Sequence, residues 1–177
     1  MEEADGKGIT GVNLKTGNMK YYDTPEHIER LYYESGCLYI WVSSDAYSPM
    51  TGHILCMDAV SGKKEYLADG VHEAWLENGY LYYTWQEGRT GEDAELILSV
   101  LDLETKQSTT EALVEKGASM LQIVGDDLLV SITVYNNGIK ERIVCFRYRA
   151  GTLPLDMLDR KEKLEAVPYG TEKKQKE

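Results

Sequence analysis

Phenylalanine is almost missing from this chain: one copy stands against thirteen tyrosines and three tryptophans among 177 residues. The rings are apolar bodies with polar tips, which favours amphipathic strands and makes tyrosine a marker of sheet edges and rims. Positive charge is scarce too. Nineteen Lys and Arg face thirty Asp and Glu, a net charge of -11, and such a surface repels the phosphate backbone that supplies most nucleic-acid affinity. Nucleic acid is therefore excluded as a partner. No apolar run approaches the roughly 18 to 20 residues of a membrane span, and the opening MEEADGKG has neither the basic nor the apolar region of a signal peptide. The expectation is a soluble chain without an export signal. Three cysteines, Cys37, Cys56 and Cys145, are an odd set without C-x-x-C spacing, so neither a disulfide framework nor a zinc ribbon is indicated.

Catalytic signatures are missing as well. There is no G-x-S-x-G elbow, no phosphate loop and no G-x-G-x-x-G after a strand. Gly6-Lys7-Gly8 and Gly62-Lys63-Lys64 read as turns, since a phosphate cradle needs a following helix. No cofactor is expected.

What is present is a repeat. ITGVNLKTGNMKYY from Ile9, ILCMDAVSGKKEYL from Ile54, LSVLDLETKQSTTE from Leu98 and IVCFRYRAGTLPLD from Ile143 align without gaps, at steps of 45, 44 and 45 residues. Each has an alternating apolar run, then Asn13, Asp58, Asp102 or Arg147, then a turn at Gly17, Gly62, Lys106 or Gly151. Glycine reaches positive φ without steric cost, so these segments read as four β-hairpins with Lys106 as the exception. The recurring Asp58 and Asp102 fit turn hydrogen bonding better than acid-base chemistry.

A second element precedes three of the hairpins: LYYESGCLYIWV from Leu31, AWLENGYLYYTW from Ala74 and LQIVGDDLLVSI from Leu121, with Leu38, Leu81 and Leu128 in register. In the second copy, ENG turns the chain between a strand ending near Leu76 and one starting at Tyr80. Leu38, Ile40 and Val42 share one face, as do Leu81, Tyr83 and Trp85, and Leu128, Val130 and Ile132. The opposite faces, with Tyr39 and Trp41 or Tyr80 and Tyr82, are also apolar, so both sides of each sheet want cover.

Four short strands per unit, repeating within the ~40 to 50 residues of a propeller blade, predict an all-β protein of the β-propeller type. A β-sandwich or meander is the competing architecture. With strands a to d in each blade, a c-d hairpin at 9–22 precedes blades at about 29–67, 72–112 and 119–156, which makes a partial propeller of about three and a half blades over residues 1–156. A closed ring needs at least ~4 blades, so the chain reads as a fragment of a longer propeller. Residues 157–177 form a charged tail, partly helical or disordered.

The strands ENGYLYYTW and ESGCLYIWV and the turns LDLETKQ and MDAVSGKK resemble repeats of bacterial TolB-like and YWTD-type propellers, the low-density-lipoprotein-receptor-like cell-surface group, over residues 9 to 156. VGDDLLVSI without tyrosines, Arg147 in place of the aspartate and Lys106 in place of glycine depart from the pattern. The resemblance implies an extracytoplasmic binding module of the cell envelope.

Binding tends to live in long loops on a rigid scaffold. The b-to-c connections SSDAYSPMTG (43–52) and QEGRTGEDAE (86–95) offer Asp45, Tyr47, Glu87, Arg89, Glu92 and Asp93, while the third is a tight NNG (136–138). His27 and His72 are placed in d-to-a loops of the same rim. The loop carboxylates lack calcium-loop spacing, and His53 and Cys56, three apart on a strand, face opposite sides; no metal site is expected. Cys56 and Cys145 occupy equivalent repeat positions and read as buried packing residues.

The functional expectation is a non-catalytic binding or scaffold module whose partner is an unknown protein or small molecule, with self-association through uncovered blade faces. The alternative is a fragment of a propeller enzyme, a hydrolase or lyase with catalytic groups in other blades or a central channel.

Overall fold

The computed structural model describes residues 8–23, 27–43, 52–86, 96–113, 118–136, 139–153 and 155. Among them are twelve strands and no helix: β1 Gly8–Val12, β2 Met19–Asp23, β3 His27–Glu34, β4 Cys37–Ser43, β5 Gly52–Asp58, β6 Lys64–Glu77, β7 Tyr80–Gln86, β8 Leu96–Asp102, β9 Ser108–Leu113, β10 Ala118–Val124, β11 Asp127–Asn136 and β12 Ile139–Arg149. Strands adjacent in sequence pair antiparallel, in sheets ordered β1-β2, β3 through β9 and β10-β11-β12. The chain divides into two compact units, Met1–Val71 and His72–Glu177.

The predicted turns recur as one device. Gly17, Gly62 and Lys106 take φ of 72°, 75° and 60°, and in each turn a side-chain oxygen four residues earlier holds the chain. Asn13 Oδ1 accepts from the amides of Lys15 and Thr16, Asp58 Oδ1 from those of Val60 and Ser61, and Asp102 Oδ1 from those of Glu104 and Thr105. Those donors hold the carboxyls of Asp58 and Asp102 below the ordinary carboxylate range. This bears out the turn role read from the sequence.

In the first unit, Ile9 of the β1-β2 hairpin packs with Ile40, Val42, Leu55 and Met57 of the β3-to-β6 sheet, and Tyr22, Ile28 and Leu38 close in around them. The opposite face of β4 is covered as well, since Tyr39 and Trp41 are 3% and 6% exposed. Both faces of β4 are thus buried, as its sequence requires.

In the second unit the core joins Tyr82 of β7, Leu96, Leu98 and Val100 of β8 to Leu121 of β10, Leu128, Val130 and Ile132 of β11 and Tyr148 of β12. A polar contact lies within this stack, where the hydroxyls of the fully buried Thr84 and of Ser119 meet at 2.6 Å. The Leu128 face of β11 and the Ile40 face of β4 do the same job, each packing on a sheet earlier in the chain.

The fourth repeat departs from the alignment. Cys37 lies opposite Asp58 and Tyr80 opposite Asp102, but Asp127 lies opposite Arg149, two residues beyond Arg147. Gly151 thus stands two residues past the paired position, where Gly62 and Lys106 stand four past theirs, and the even shift preserves every face. Arg147 is therefore not the turn residue; it lies 3.7 Å from the Asp127 carboxylate. Cys56 faces Tyr39 whereas Cys145 faces Ser131, so the two cysteines are not equivalent, and both are half-buried and not sealed in a core. No return strand follows Gly151 among the described residues; Leu153 and Leu155 instead pack against the core.

Candidate functional site

The loop residues Asp45, Tyr47, Glu87, Arg89, Glu92 and Asp93 lie outside the described residues. His27 and His72 are described, and the structure corrects their placement: both stand in strands. His27 opens β3, exposed, with Nε2 3.9 Å from Glu29 Oε1. His72 stands within the fourteen-residue β6, where a bend at Gly70 (φ 66°) replaces the expected loop. The Asp69 carboxylate accepts the Gly70 amide at 3.0 Å and stabilises that bend. Burial pushes the imidazole of His72 below its ordinary pKa, and a hydrogen bond with Gln86 partly opposes the shift. His27 belongs to the first unit and His72 to the second.

The described geometry draws attention to the other end of the strands, where the a-b and c-d turns lie. In the second unit a cleft of about 130 Å³ opens there, lined by Glu77, Asn78, Tyr80, Tyr82, Ile123, Gly125, Asp126, Ala150 and Gly151. Each wall follows from local sequence. Asn78 at φ 53° and Gly79 at φ 80° form the turn that sets Glu77 and Tyr80 at adjoining strand ends. Gly125 at φ 63° turns β10 into β11, and the carbonyl of Asp126 accepts the Ala150 amide at 2.8 Å. That bond continues a pattern, because the Gly36 and Gly79 carbonyls accept from Ala59 and Leu103 at 3.0 and 2.9 Å.

Two tyrosines line the cleft. Tyr82, 2% exposed, accepts the Gly151 amide on its hydroxyl at 2.6 Å, and Tyr80 sits beside it with ring centroids 6.4 Å apart. A Cβ at position 151 would come within 3.3 Å of Tyr80 Cε2 and press on that ring, and the φ of 74° itself favours glycine there. Burial raises the pKa of the Tyr82 hydroxyl; the Gly151 amide opposes this, while Tyr80 and Glu77 add to it. The Trp75 indole N–H donates to Glu77 Oε2 at 3.0 Å and orients that carboxylate.

The segment ENGYLY, residues 77–82, supplies four of the lining residues. Its periodicity marks it as a structural repeat, which obscures its place in a site. The readable signal is its departure from the other copies: Tyr80 stands where they have Cys37 and Asp127. Among the described residues no three His, Cys, Asp or Glu side chains gather into a metal-binding group.

No family model matches the chain, and no curated protein does. Solved structures do. The crystal structure of the N-terminal domain of Nup159 aligns with a TM-score of 0.53 at 10% identity, over 85% of this chain and 42% of that one. The acylaminoacyl peptidase of Pyrococcus horikoshii aligns with a TM-score of 0.47 at 13% identity, over 86% of this chain and 28% of that one. The chain thus spans less than half of either. The fold is all-β and β-propeller-like.

Proposed function

We propose that this chain is a non-catalytic binding or scaffold module built from part of a β-propeller, in a bacterial cell-envelope protein. The observation that carries the binding role is the cleft between turns in the second unit, whose walls are held by backbone and side-chain hydrogen bonds. A preformed recess on stacked sheets offers recognition without a large ordering cost. The envelope assignment rests on the resemblance of the tyrosine-rich strands and Gly-containing turns to surface propellers. The loops bearing Asp45, Tyr47, Glu87, Arg89, Glu92 and Asp93 are a second candidate surface for a protein or small-molecule partner.

The test is an assay of the purified chain on a panel of esters, glycosides and peptides, together with fractionation of the native cells. Expected are no turnover above a heat-treated control and recovery in the envelope fraction. Saturable turnover abolished by substitutions in the rim loops overturns the non-catalytic reading, and recovery in the cytosol overturns the envelope assignment.

A further inference from the structure

The cleft in the second unit combines two kinds of wall that suit one class of ligand. Two carboxylates, Glu77 and Asp126, stand at a recess lined by the tyrosines Tyr80 and Tyr82, and its lining contains no lysine, arginine or histidine. We propose that this cleft recognises an organic ammonium group, carried either by a free small molecule or by a lysine side chain of a partner protein. The inference rests on the binding-module reading above.

An ammonium gains from both walls. The face of a tyrosine ring attracts cations through the ring quadrupole, and that attraction grows as the cation sheds water; the half-buried Tyr80 is the ring that can meet the ligand, because Tyr82 is only 2% exposed and belongs to the core. Carboxylates add direct charge pairing, and Glu77 is half-buried, where screening is weaker than in open solvent. The Trp75 bond engages Oε2 of Glu77 and leaves the carboxylate with capacity to accept from a ligand N–H, since an ionised carboxylate has about four acceptor sites.

Other ligand classes fit less well. A phosphate or carboxylate ligand would meet two like charges. A hard metal ion needs about six or more oxygens, and no group of three ligating side chains is assembled among the described residues. A neutral ligand could donate hydrogen bonds to the carboxylates but would gain no charge pairing from them. Size adds a limit: about 130 Å³ is below the roughly 300–1,000 Å³ of pockets for drug-sized ligands, so the cleft takes a head group and leaves the rest of the molecule outside. The chain's net charge of -11 favours the approach of a cationic partner.

Amide shifts of the ¹⁵N-labelled full chain test this, titrated with choline, with Nα-acetyl-lysine methylamide and with 3,3-dimethylbutan-1-ol, the neutral isostere of choline. Saturable shifts at Gly125, Asp126 and Gly151 are expected with one or both cations, at an affinity at least about tenfold above that of the isostere. Stronger binding of choline identifies a free quaternary ligand, and stronger binding of the lysine derivative a basic protein segment. Glu77→Gln and Tyr80→Leu should each weaken binding about tenfold, equivalent to about 1.4 kcal/mol. Absence of saturable shifts with both cations overturns the proposal, as does equal binding of the isostere. The isostere comparison uses the unaltered chain and holds if a variant fails to fold. A negative result here leaves the broader reading standing, because that reading falls only to turnover or to cytosolic recovery.

Discussion

The Gly151 amide donates to the hydroxyl of Tyr82 at 2.6 Å, across 69 positions of sequence. The bond ties the turn after β12 to the sheet containing β7, and it lies beside the apolar stack of Tyr82, Leu98 and Tyr148. Removing the acceptor leaves a part-buried N–H without its partner. Tyr82→Phe is therefore expected to cost about 1–2 kcal/mol, read as a lower urea midpoint with an unchanged slope. An unaltered midpoint would show that the bond contributes nothing net.

Lys106 carries a backbone conformation that glycine holds at the equivalent Gly17 and Gly62. A side chain at positive φ costs ~1–2 kcal/mol, and glycine returns part of that as unfolded-state entropy. Lys106→Gly should then stabilise the chain by roughly 0.5–1 kcal/mol in urea denaturation, while Gly62→Ala should destabilise it. Opposite signs at these two positions are the diagnostic result; the same sign at both would contradict the shared turn geometry.

Burial lowers the pKa of His72 in the folded chain from its ordinary 6.5. Below that value the unfolded chain takes up a proton that the folded chain resists, so this contribution to stability is complete above pH 6.5 and is lost as pH falls through the folded value. Urea midpoints at about pH 8 and about pH 5.5 should differ, and His72→Gln should reduce the difference. If the variant keeps the whole difference, other groups cause it.

Asp58 and Asp102 have depressed pKa values because turn amides point at their carboxylates. The stabilisation they provide is present above the unfolded value of 3.8 and is lost as pH falls through the lower folded values. Asn13 performs the same bonding with a neutral amide. The double substitution Asp58→Asn and Asp102→Asn should thus preserve the fold near neutrality and flatten the acid limb of the stability profile. An acid limb identical to the parent's would remove these carboxylates from the account.

Much of the strand plan is readable from local chemistry. The turns at Gly17, Gly62, Lys106 and Gly151 all take positive φ, and ENG does separate β6, ending at Glu77, from β7, starting at Tyr80. Register in the fourth repeat was not readable, because a two-residue slip leaves the alternation of faces unchanged. Only the pairing of Asp127 with Arg149 distinguishes the two registers. The strand placement of His72 was hidden for a related reason: a glycine suggests a loop, whereas Gly70, with Asp69 on its amide, bends a continuous strand.

Period-two alternation and glycine punctuation act through nearest neighbours along the chain, so the sequence by itself determined most of the strands, their alternating faces and the turns at Gly17, Gly62 and Lys106. The recess depends on residues far apart in sequence, Glu77 and Tyr80 on one side and Asp126 and Gly151 on the other. Only the stacking of one sheet on the next decided that these would meet. That stacking follows from burial of both faces of a sheet, a collective property of the core that no single segment records.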